Sequence, residues 1–376
     1  AKLSTEVVSL CWCSSFLFFK MKDAIAMVEC GKPFTSLIQP PLAMDSDPPL
    51  HKAYKTLFDK TINSNNHQDH HQPLIVEECQ LPLIDLSRLR RGEAEQDRCK
   101  SQIARASQEW GFFQVVNHGI SRELLDKMRL EQEKVFKQPF DKKRQEDKFL
   151  KFSAGSYRWG TPSATCLRQF SWSEAFHIPL TNISPSEGFN NLSSTMEQFA
   201  GTVSNLALKL AEILAEKLGR NPSFFQENCS PSTCYLRMNR YPPCPIPSEV
   251  YGLTPHTDSD FLTILLQYQV GGLQLVKDGR WIAVKPNPEA LIVNIGDLFQ
   301  AWSNDVYKSV QHRVVTNMQV ERFSTAYFLC PSYDTVLDSG CEPCVYKKFS
   351  FREYRKKVQE DVTRLGYKVG LSRFLV

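Results

Sequence analysis

The chain has 376 residues, 42% of them hydrophobic, which is enough apolar material for one large domain or two unequal ones. Its 45 Lys and Arg residues nearly balance 41 Asp and Glu residues, so we expect neither nucleic acid nor another polyanion as a partner. No apolar run approaches the roughly 18 residues that cross a bilayer, and no membrane contact is expected. The twelve cysteines are scattered, including the pair Cys341 and Cys344, and we expect free thiols in a cytoplasmic protein.

Residues 1–78 are predicted to form a disordered N-terminal extension and linker. Residues 10–19 are a short apolar run, but no small-residue cleavage site follows them, so the run does not define a signal peptide. A transit peptide remains an alternative, because few acidic residues occur before position 44. We favour a functional chain that begins near Met44, with residues 1–43 outside the fold. Residues 63–72 are polar and rich in Asn and His, which predicts a solvated linker.

Residues 79–230 are predicted to form a layer of helices and strands. The longest helix shows an apolar stripe at three- and four-residue steps and ends at Gly219, which is typical of packing against a sheet. Ser121 is the predicted N-cap of an earlier helix. The predicted elements in this layer are a strand at 81–86, a helix at 93–110, a strand at 111–119 and a helix at 193–218.

Two histidines and an aromatic segment in this layer need an interpretation. His118 lies in the helical layer and His177 alternates with apolar neighbours, so both are expected to be structural rather than metal ligands. The segment 157–160 predicts a loop. Its Tyr157 and Trp159 either line an apolar pocket or anchor the core.

Short strands dominate from Cys234 onward, and many short strands with turn residues between them predict a sandwich or barrel over residues 231–335. Asp278-Gly279 is a strong hairpin signal. Residues 336–376 are predicted to hold a last helix, 349–365, with Asp361 facing outward, and a tail that is a candidate cover for a pocket mouth. The predicted strands are 235–241, 262–268, 273–277, 281–284, 290–295, 312–316 and 325–328.

The chemistry-bearing residues lie among these strands. His256 and Asp258 are two positions apart, which on one strand places both side chains on the same face. With His312 they make two imidazoles and one carboxylate, the set that leaves open positions on a non-haem Fe(II) centre. Arg322 follows ten residues later, and a hairpin or bend is expected to return it toward the metal. Its planar fork suits a carboxylate, and Ser324 shares its face.

Together with their spacing, these residues make the chain resemble the plant 2-oxoglutarate- and Fe(II)-dependent dioxygenases from about Leu81 to its last residue. The matching segments are Asn239-Arg240-Tyr241-Pro242-Pro243-Cys244, Pro255-His256-Thr257-Asp258, Val270-Gly271-Gly272-Leu273-Gln274, Val293-Asn294-Ile295-Gly296-Asp297, His312-Arg313-Val314 and Arg322-Phe323-Ser324. The resemblance implies a mainly β fold of the α+β kind, a double-stranded β-helix or jelly roll with flanking helices.

The same resemblance implies the cofactors and the residues that bind them. His256, Asp258 and His312 are expected to bind Fe(II). Arg322, Ser324, Tyr241 and Asn239 are expected to bind the cosubstrate 2-oxoglutarate. O2 is the second cosubstrate, and ascorbate is the expected reductant.

A closer resemblance concerns the substrate. Segments 157–165, 171–179 and 301–309 are similar to gibberellin 2-oxidases that act on twenty-carbon gibberellins, which implies 2β-hydroxylation of this hormone class and its inactivation. Thr257 stands where gibberellin 20-oxidases typically have Cys. Arg158 is a candidate partner for the carboxylate of the diterpenoid, or else a surface residue.

Two alternatives stay open at this point. One is a dioxygenase of a flavonoid or another plant metabolite, or of another gibberellin oxidation step, with the same iron site. The other is a catalytically silent jelly roll that binds a small acid, although such a protein has no need of an open metal face. We expect a monomer.

Overall fold

The computed structural model describes residues 45–64, 76–153, 155–183 and 189–376, which belong to one compact unit. The helices are α1 (Leu50–Ala53), α2 (Lys55–Ser64), α3 (Glu93–Glu109), α4 (Arg122–Phe136), α5 (Phe140–Lys143), α6 (Glu146–Phe149), α7 (Asn190–Lys217), α8 (Ser223–Asn228), α9 (Asp297–Trp302) and α10 (Phe351–Leu365). The strands are β1 (Glu78–Cys79), β2 (Leu83–Asp85), β3 (Phe112–Val116), β4 (Tyr157–Trp159), β5 (Glu174–Pro179), β6 (Tyr235–Tyr241), β7 (Tyr251–His256), β8 (Leu262–Leu266), β9 (Leu273–Lys277), β10 (Arg280–Val284), β11 (Leu291–Ile295), β12 (His312–Val315), β13 (Arg322–Leu329), β14 (Val336–Leu337) and β15 (Phe349–Ser350).

Two sheets carry the fold. One has the order β1-β10-β9-β12-β7 and the other the order β2-β3-β11-β8-β13-β6-β5-β4. From β7 to β13 the chain passes repeatedly between the two sheets, which is the course of a double-stranded β-helix. The predicted jelly roll with flanking helices is therefore confirmed.

The predicted boundary at residue 230 does not separate two sheets. Strands β2 to β5 come from the first half of the chain, and they pair into the same sheet as β6, β8, β11 and β13. Sheet pairing depends on backbone hydrogen bonds between distant residues, which composition along the chain does not indicate. The helical layer covers this sheet, because α7 packs against α3, α4, β8 and β13.

Helix α7 confirms the apolar stripe that was predicted for the longest helix. Met196, Phe199, Val203 and Leu210 are fully buried in the main core. The Ser121 cap is also present, since its hydroxyl accepts from the Leu124 amide at 3.2 Å. Local periodicity and capping chemistry thus locate these helices correctly.

Strand β7 is missing from the strands predicted after Cys234. It contains Gly252, Thr254 and Pro255, which interrupt the apolar alternation that marks a strand. Proline is tolerated there because β7 is the last strand of its sheet, with β12 as its neighbour and one further bridge, at Tyr251, to Ser171. The omission matters because this strand ends in His256.

The segment 157–160 is not a loop, because Tyr157 to Trp159 form β4, paired with β5. The Tyr157 hydroxyl donates to the buried Glu174 carboxylate, and burial raises the pKa of this phenol. Glu174 also binds Lys143 at 2.5 Å and Arg240 at 2.7 Å, and Arg240 reaches Asp47 at 2.8 Å. Tyr157 is therefore a core anchor, which resolves for this residue the alternative left by the sequence.

The expected disordered extension over residues 1–78 is wrong where the structure describes it. Leu50, Leu57 and Phe58 on α1 and α2 are buried in a second apolar cluster. The Phe58 ring lies 6.3 Å from Phe170 and 6.0 Å from Trp172, centroid to centroid. Three apolar residues in a polar stretch are too few to indicate a docked helix by periodicity alone. Residues 1–44 and 65–75, with Met44, lie outside the described residues.

The last helix begins with a capping box between Ser350 and Glu353 and ends at Gly366, whose φ of 80° suits a residue without Cβ. Asp361 does not face outward as predicted, because Arg373 covers it at 2.7 Å. Arg373 comes from the following tail, so this contact could not be read from helical periodicity.

Two further expectations from the sequence concern free thiols and the lack of a membrane span. All nine cysteines among the described residues are free thiols, Cys341 and Cys344 included. Within the described ranges, no helix combines the length and apolarity needed to cross a bilayer.

Replacing Phe58 with Ala tests the docking of α2. Removing a buried aromatic ring is expected to lower the free energy of unfolding by roughly 3 kcal/mol. Urea denaturation measures the change, and Thr56→Ala, an exposed position on the same helix, should stay within about 0.5 kcal/mol of wild type. Equal stabilities of the two variants would contradict a docked segment.

Candidate metal centre

His256 and His312 are brought together by strand pairing. His256 is the last residue of β7, His312 is the first of β12, and the two residues are paired directly. Their ring centroids lie 4.3 Å apart. Two imidazoles fifty-six positions apart in the chain therefore share one site because two backbones are hydrogen-bonded in this register.

Asp258 reaches the same point from a turn rather than from the strand that was expected, since β7 ends at His256. Its Oδ1 lies 3.6 Å from Nε2 of His256 and 3.7 Å from Nε2 of His312. The three ligand atoms are within 4.8 Å of one another. One metal ion can bridge such a set, and two imidazoles with one carboxylate are the donor set of non-haem Fe(II) centres.

Hydrogen bonds orient all three donors. Nδ1 of His256 donates to the Thr254 carbonyl at 2.8 Å, and Nδ1 of His312 donates to the Val310 carbonyl at 3.1 Å. With the proton on Nδ1, the lone pair of each Nε2 faces the site. The sequence did not indicate these partners, because a backbone carbonyl has no residue signature.

The Asp258 carboxylate is held in a similar way. Its Oδ2 accepts from the Thr263 hydroxyl at 2.6 Å and from the Asn294 amide at 2.8 Å, which leaves Oδ1 for the metal. Neither residue was predicted as part of the site, although Asn294 lies in one of the segments that carried the resemblance.

The protonation states suit metal binding. Burial lowers the pKa of His256, so its imidazole is neutral near pH 7. Burial alone would raise the pKa of Asp258. The neighbouring His312 and His256 and the two hydrogen bonds outweigh this effect and hold the pKa below its usual value. The site therefore presents a neutral nitrogen on His256 and an anionic oxygen on Asp258.

The turn that carries Asp258 is bound from the tail of the chain. Nζ of Lys368 donates to the Thr257 carbonyl at 2.6 Å, to the Ser259 hydroxyl at 3.0 Å and to the Asp297 carboxylate at 2.8 Å. These three bonds use all three hydrogens of the ammonium. Sequence reasoning missed Lys368, because a single Lys in a polar tail carries no signal.

Of the hairpin or bend expected to return Arg322 toward the metal, the structure shows no hairpin with β12. Arg322 begins β13, which belongs to the other sheet and pairs with β6 and β8. Arg322 and Ser324 still share one face, and Nη1 of Arg322 lies 3.4 Å from the Ser324 hydroxyl. The arginine therefore approaches the cavity from the opposite wall to the two histidines.

The Arg322 guanidinium is a buried cation, only 2% exposed, and burial lowers its pKa. Nη2 donates to Gln267 at 3.0 Å, while Nε and the Gln267 amide nitrogen have no partner. No carboxylate of the described residues lies within 4 Å of the guanidinium. A buried, unpaired cation with free donors fits a carboxylate ligand, because leaving such a charge unpaired is costly.

Tyr241 and Asn239 lie beside this cation. Tyr241 pairs with Arg322 across β6 and β13, and the guanidinium carbon lies 4.9 Å from the centre of the Tyr241 ring. Asn239 pairs with Ser324, and its amide donates to the Ser324 hydroxyl at 3.4 Å. All four side chains, with the three metal-binding candidates, line one cavity of about 250 Å³.

His118 and His177 lie outside the lining of this cavity. His118 accepts from the Ile120 amide at 3.2 Å, and His177 packs on Tyr235 with ring centroids 4.1 Å apart. Both positions agree with the structural roles expected from the sequence. Arg158, the candidate for the substrate carboxylate, is exposed and does not line the cavity.

Comparison with known proteins defines the class. Residues 232–331 match the 2OG-Fe(II) oxygenase superfamily, and residues 81–193 match the N-terminal region described as non-haem dioxygenase in morphine synthesis. The chain belongs to the 2OG-Fe(II) oxygenase superfamily and is a 2-oxoglutarate-dependent dioxygenase.

Among members of this class, the chain is similar to the following individual proteins. A gibberellin 2-beta-dioxygenase of Arabidopsis thaliana is 64% identical over 336 residues, which cover 88% of this chain and 98% of that protein. A gibberellin 2-beta-dioxygenase of Oryza sativa subsp. japonica is 53% identical over 80% of this chain and 86% of its own length. JOX2, crystallised with 2OG, Fe and JA, is 31% identical with a TM-score of 0.64, over 79% of this chain and 91% of its own.

Asp258→Ala is expected to abolish turnover, because it removes the anionic ligand and leaves two imidazoles. Succinate release measures turnover, and titration with Fe(II) under nitrogen measures metal affinity. Asp141→Ala, an exposed carboxylate on α5, should retain both. Full metal affinity in Asp258→Ala would remove this residue from the ligand set.

Arg322→Lys is expected to raise KM for 2-oxoglutarate at least about tenfold, because a point ammonium cannot make the bidentate pairing of a guanidinium. Steady-state kinetics at varied 2-oxoglutarate provides the measurement. Arg105→Lys, at an exposed position on α3, is the matched control. An unchanged KM would show that Arg322 does not hold the cosubstrate.

Proposed function

We propose that this dioxygenase hydroxylates carbon 2 of gibberellins on the β face, with twenty-carbon gibberellins as its preferred substrates, and so inactivates the hormone or its precursors. The similarity to two gibberellin 2-beta-dioxygenases over most of the chain supports this substrate class. The observation that carries the chemistry is a two-histidine, one-aspartate set that faces the same cavity as a buried, unpaired arginine.

The metal ligands are His256, Asp258 and His312. When bound, Fe(II) with 2-oxoglutarate and O2 supplies the oxidation, in which substrate C–H becomes C–OH while 2-oxoglutarate yields succinate and CO2. The three donors would hold the metal from one side of the cavity. Ascorbate serves as the reductant that keeps the metal ferrous between turnovers.

Arg322 holds the distal carboxylate of 2-oxoglutarate. Its fork pairs with both carboxylate oxygens, and the hydroxyls of Ser324 and Tyr241 add neutral donors. Asn239 orients Ser324 through the hydrogen bond between its amide and that hydroxyl. A cosubstrate held in this way would lie between the two sheets, with its distal carboxylate at Arg322.

The apolar part of the lining orients the substrate and excludes water. Phe112, Leu265, Leu273 and Phe328 surround the donors, and the Phe112 ring lies edge-on to His312 at 5.2 Å. A fixed substrate position beside the metal accounts for much of the rate enhancement available to such an enzyme, since orientation converts a bimolecular step into a unimolecular one.

Assay of the purified protein with a panel of twenty- and nineteen-carbon gibberellins, 2-oxoglutarate, Fe(II) and ascorbate tests the proposal. We expect a product heavier by one oxygen, identified by mass spectrometry as the 2β-alcohol, with one succinate released per product. His312→Ala should release no succinate. A flavonoid panel run in parallel should give no product. Turnover of flavonoids alone would replace the gibberellin assignment with the alternative substrate class.

The monomeric state and the cytoplasmic location stay predictions. Light scattering coupled to gel filtration measures the first, and fractionation of expressing cells measures the second.

A further inference from the structure

The cavity contains a second cation besides Arg322. Arg237 is half-buried on β6, lines the cavity and has no carboxylate within 4 Å among the described residues. Its Nε donates to the Asn239 side-chain oxygen at 2.9 Å, and within those residues its two Nη atoms have no acceptor. Four N–H groups of the guanidinium are thus available to a ligand.

Arg237 lies at a different level of the cavity from Arg322. On β6, Arg237 is four positions from Tyr241, the partner of Arg322, so the Cα atoms of Arg237 and Tyr241 are about 14 Å apart along the strand. The proposed function assigns the distal carboxylate of 2-oxoglutarate to Arg322 and assigns no anion to Arg237. The second guanidinium needs another anion.

Cross-strand pairing connects Arg237 to the residues beside the metal donors, and residues paired in this way across neighbouring strands form one row. Arg237 pairs with Ala326 on β13, and Ala326 pairs with Leu265 on β8. Two residues from Leu265, Thr263 binds the Asp258 carboxylate. Strands β6 and β8, with β13 between them, are about 10 Å apart, so the Arg237 side chain and the metal donors face each other across one strand.

The cavity floor, which is the part of the lining between Arg237 and the metal donors, is apolar and includes a short side chain. Ala326 is the smallest side chain in its row and leaves space above β13. In the next row, Tyr235 and Phe328 stack with ring centroids 4.3 Å apart and an angle of 12° between their planes. A flat apolar ring system fits this floor.

The surroundings of Arg237 are positive on the side of His177, away from Asp258 and the other metal donors. His177, paired with Arg237 on β5, has its pKa lowered to about 4 by burial first and then by the charges of Arg237, Arg158 and Arg355. No acidic group offsets these three arginines at His177. An anionic substrate is therefore attracted to this end of the cavity.

We propose that Arg237 binds the carboxylate of the substrate and thereby sets the distance at which the oxidised carbon meets the metal. The inference rests on the proposed function, since gibberellins are polycyclic apolar carboxylic acids. Arg237 takes the place of Arg158 as the partner of that carboxylate. It selects acids over neutral molecules of the same shape.

The test compares a gibberellin acid with its methyl ester, which keeps the shape and removes the charge. Binding is measured by calorimetry under nitrogen with Mn(II) and 2-oxoglutarate, and kcat/KM is measured with Fe(II) in air. Wild type is expected to prefer the acid at least about 30-fold in both measurements. Arg237→Gln should bind the acid no better than the ester, while Arg237→Lys retains part of the preference.

Two controls separate substrate binding from other roles. Arg105→Gln, the same change at an exposed position, should keep the full preference. KM for 2-oxoglutarate should change less than about twofold in Arg237→Gln, which also shows that the variant is folded. A raised KM for 2-oxoglutarate with the acid preference intact would mean that Arg237 only positions Asn239, and would overturn the proposal.

The remaining outcomes are also decisive. Retention of the acid preference in Arg237→Gln, while wild type hydroxylates gibberellins, overturns this inference and leaves the proposed function standing. Failure of wild type to bind or hydroxylate any gibberellin overturns both.

Discussion

The site depends on the antiparallel pairing of β7 with β12. This register places His256 opposite His312, and the turn that follows β7 then brings Asp258 within reach of both imidazoles. A shift of one residue in the pairing would turn one imidazole to the other face of the sheet. The backbone hydrogen bonds of an edge strand thus determine whether a metal can be bound at all.

The opposite sheet supplies the complementary chemistry. Along β6 and β13 its inner face presents a buried arginine with neutral donors, then a small residue, then an aromatic pair. The metal donors come mainly from the other wall, so the reacting groups meet in a cavity rather than within one element. Because the metal donors and the opposite wall belong to different sheets, the side chains of the cavity wall can change while the metal donors stay the same. One fold can therefore serve many substrates.

Local signals in the sequence predicted what local chemistry determines. The α7 stripe, the Ser121 cap and the strand Tyr235–Tyr241 were all located correctly, and the spacing of two histidines and an aspartate indicated the metal set. Contacts between distant residues were not accessible. The spacing of Arg322 from His312 did not indicate that Arg322 lies in the other sheet, and Phe58 was expected in a disordered segment but is buried. Both outcomes depend on tertiary pairing that no window of sequence contains.

Lys368 has a consequence for how the site is assembled. The three ligands occupy positions 256 to 312, yet the ammonium that binds the residues on both sides of Asp258 belongs to a residue more than fifty positions later. During synthesis the ribosome therefore releases every iron ligand well before the group that anchors their turn. The ferrous centre reaches its final shape only when this late segment has folded back, so a sequence change in the tail is also a change to the metal site.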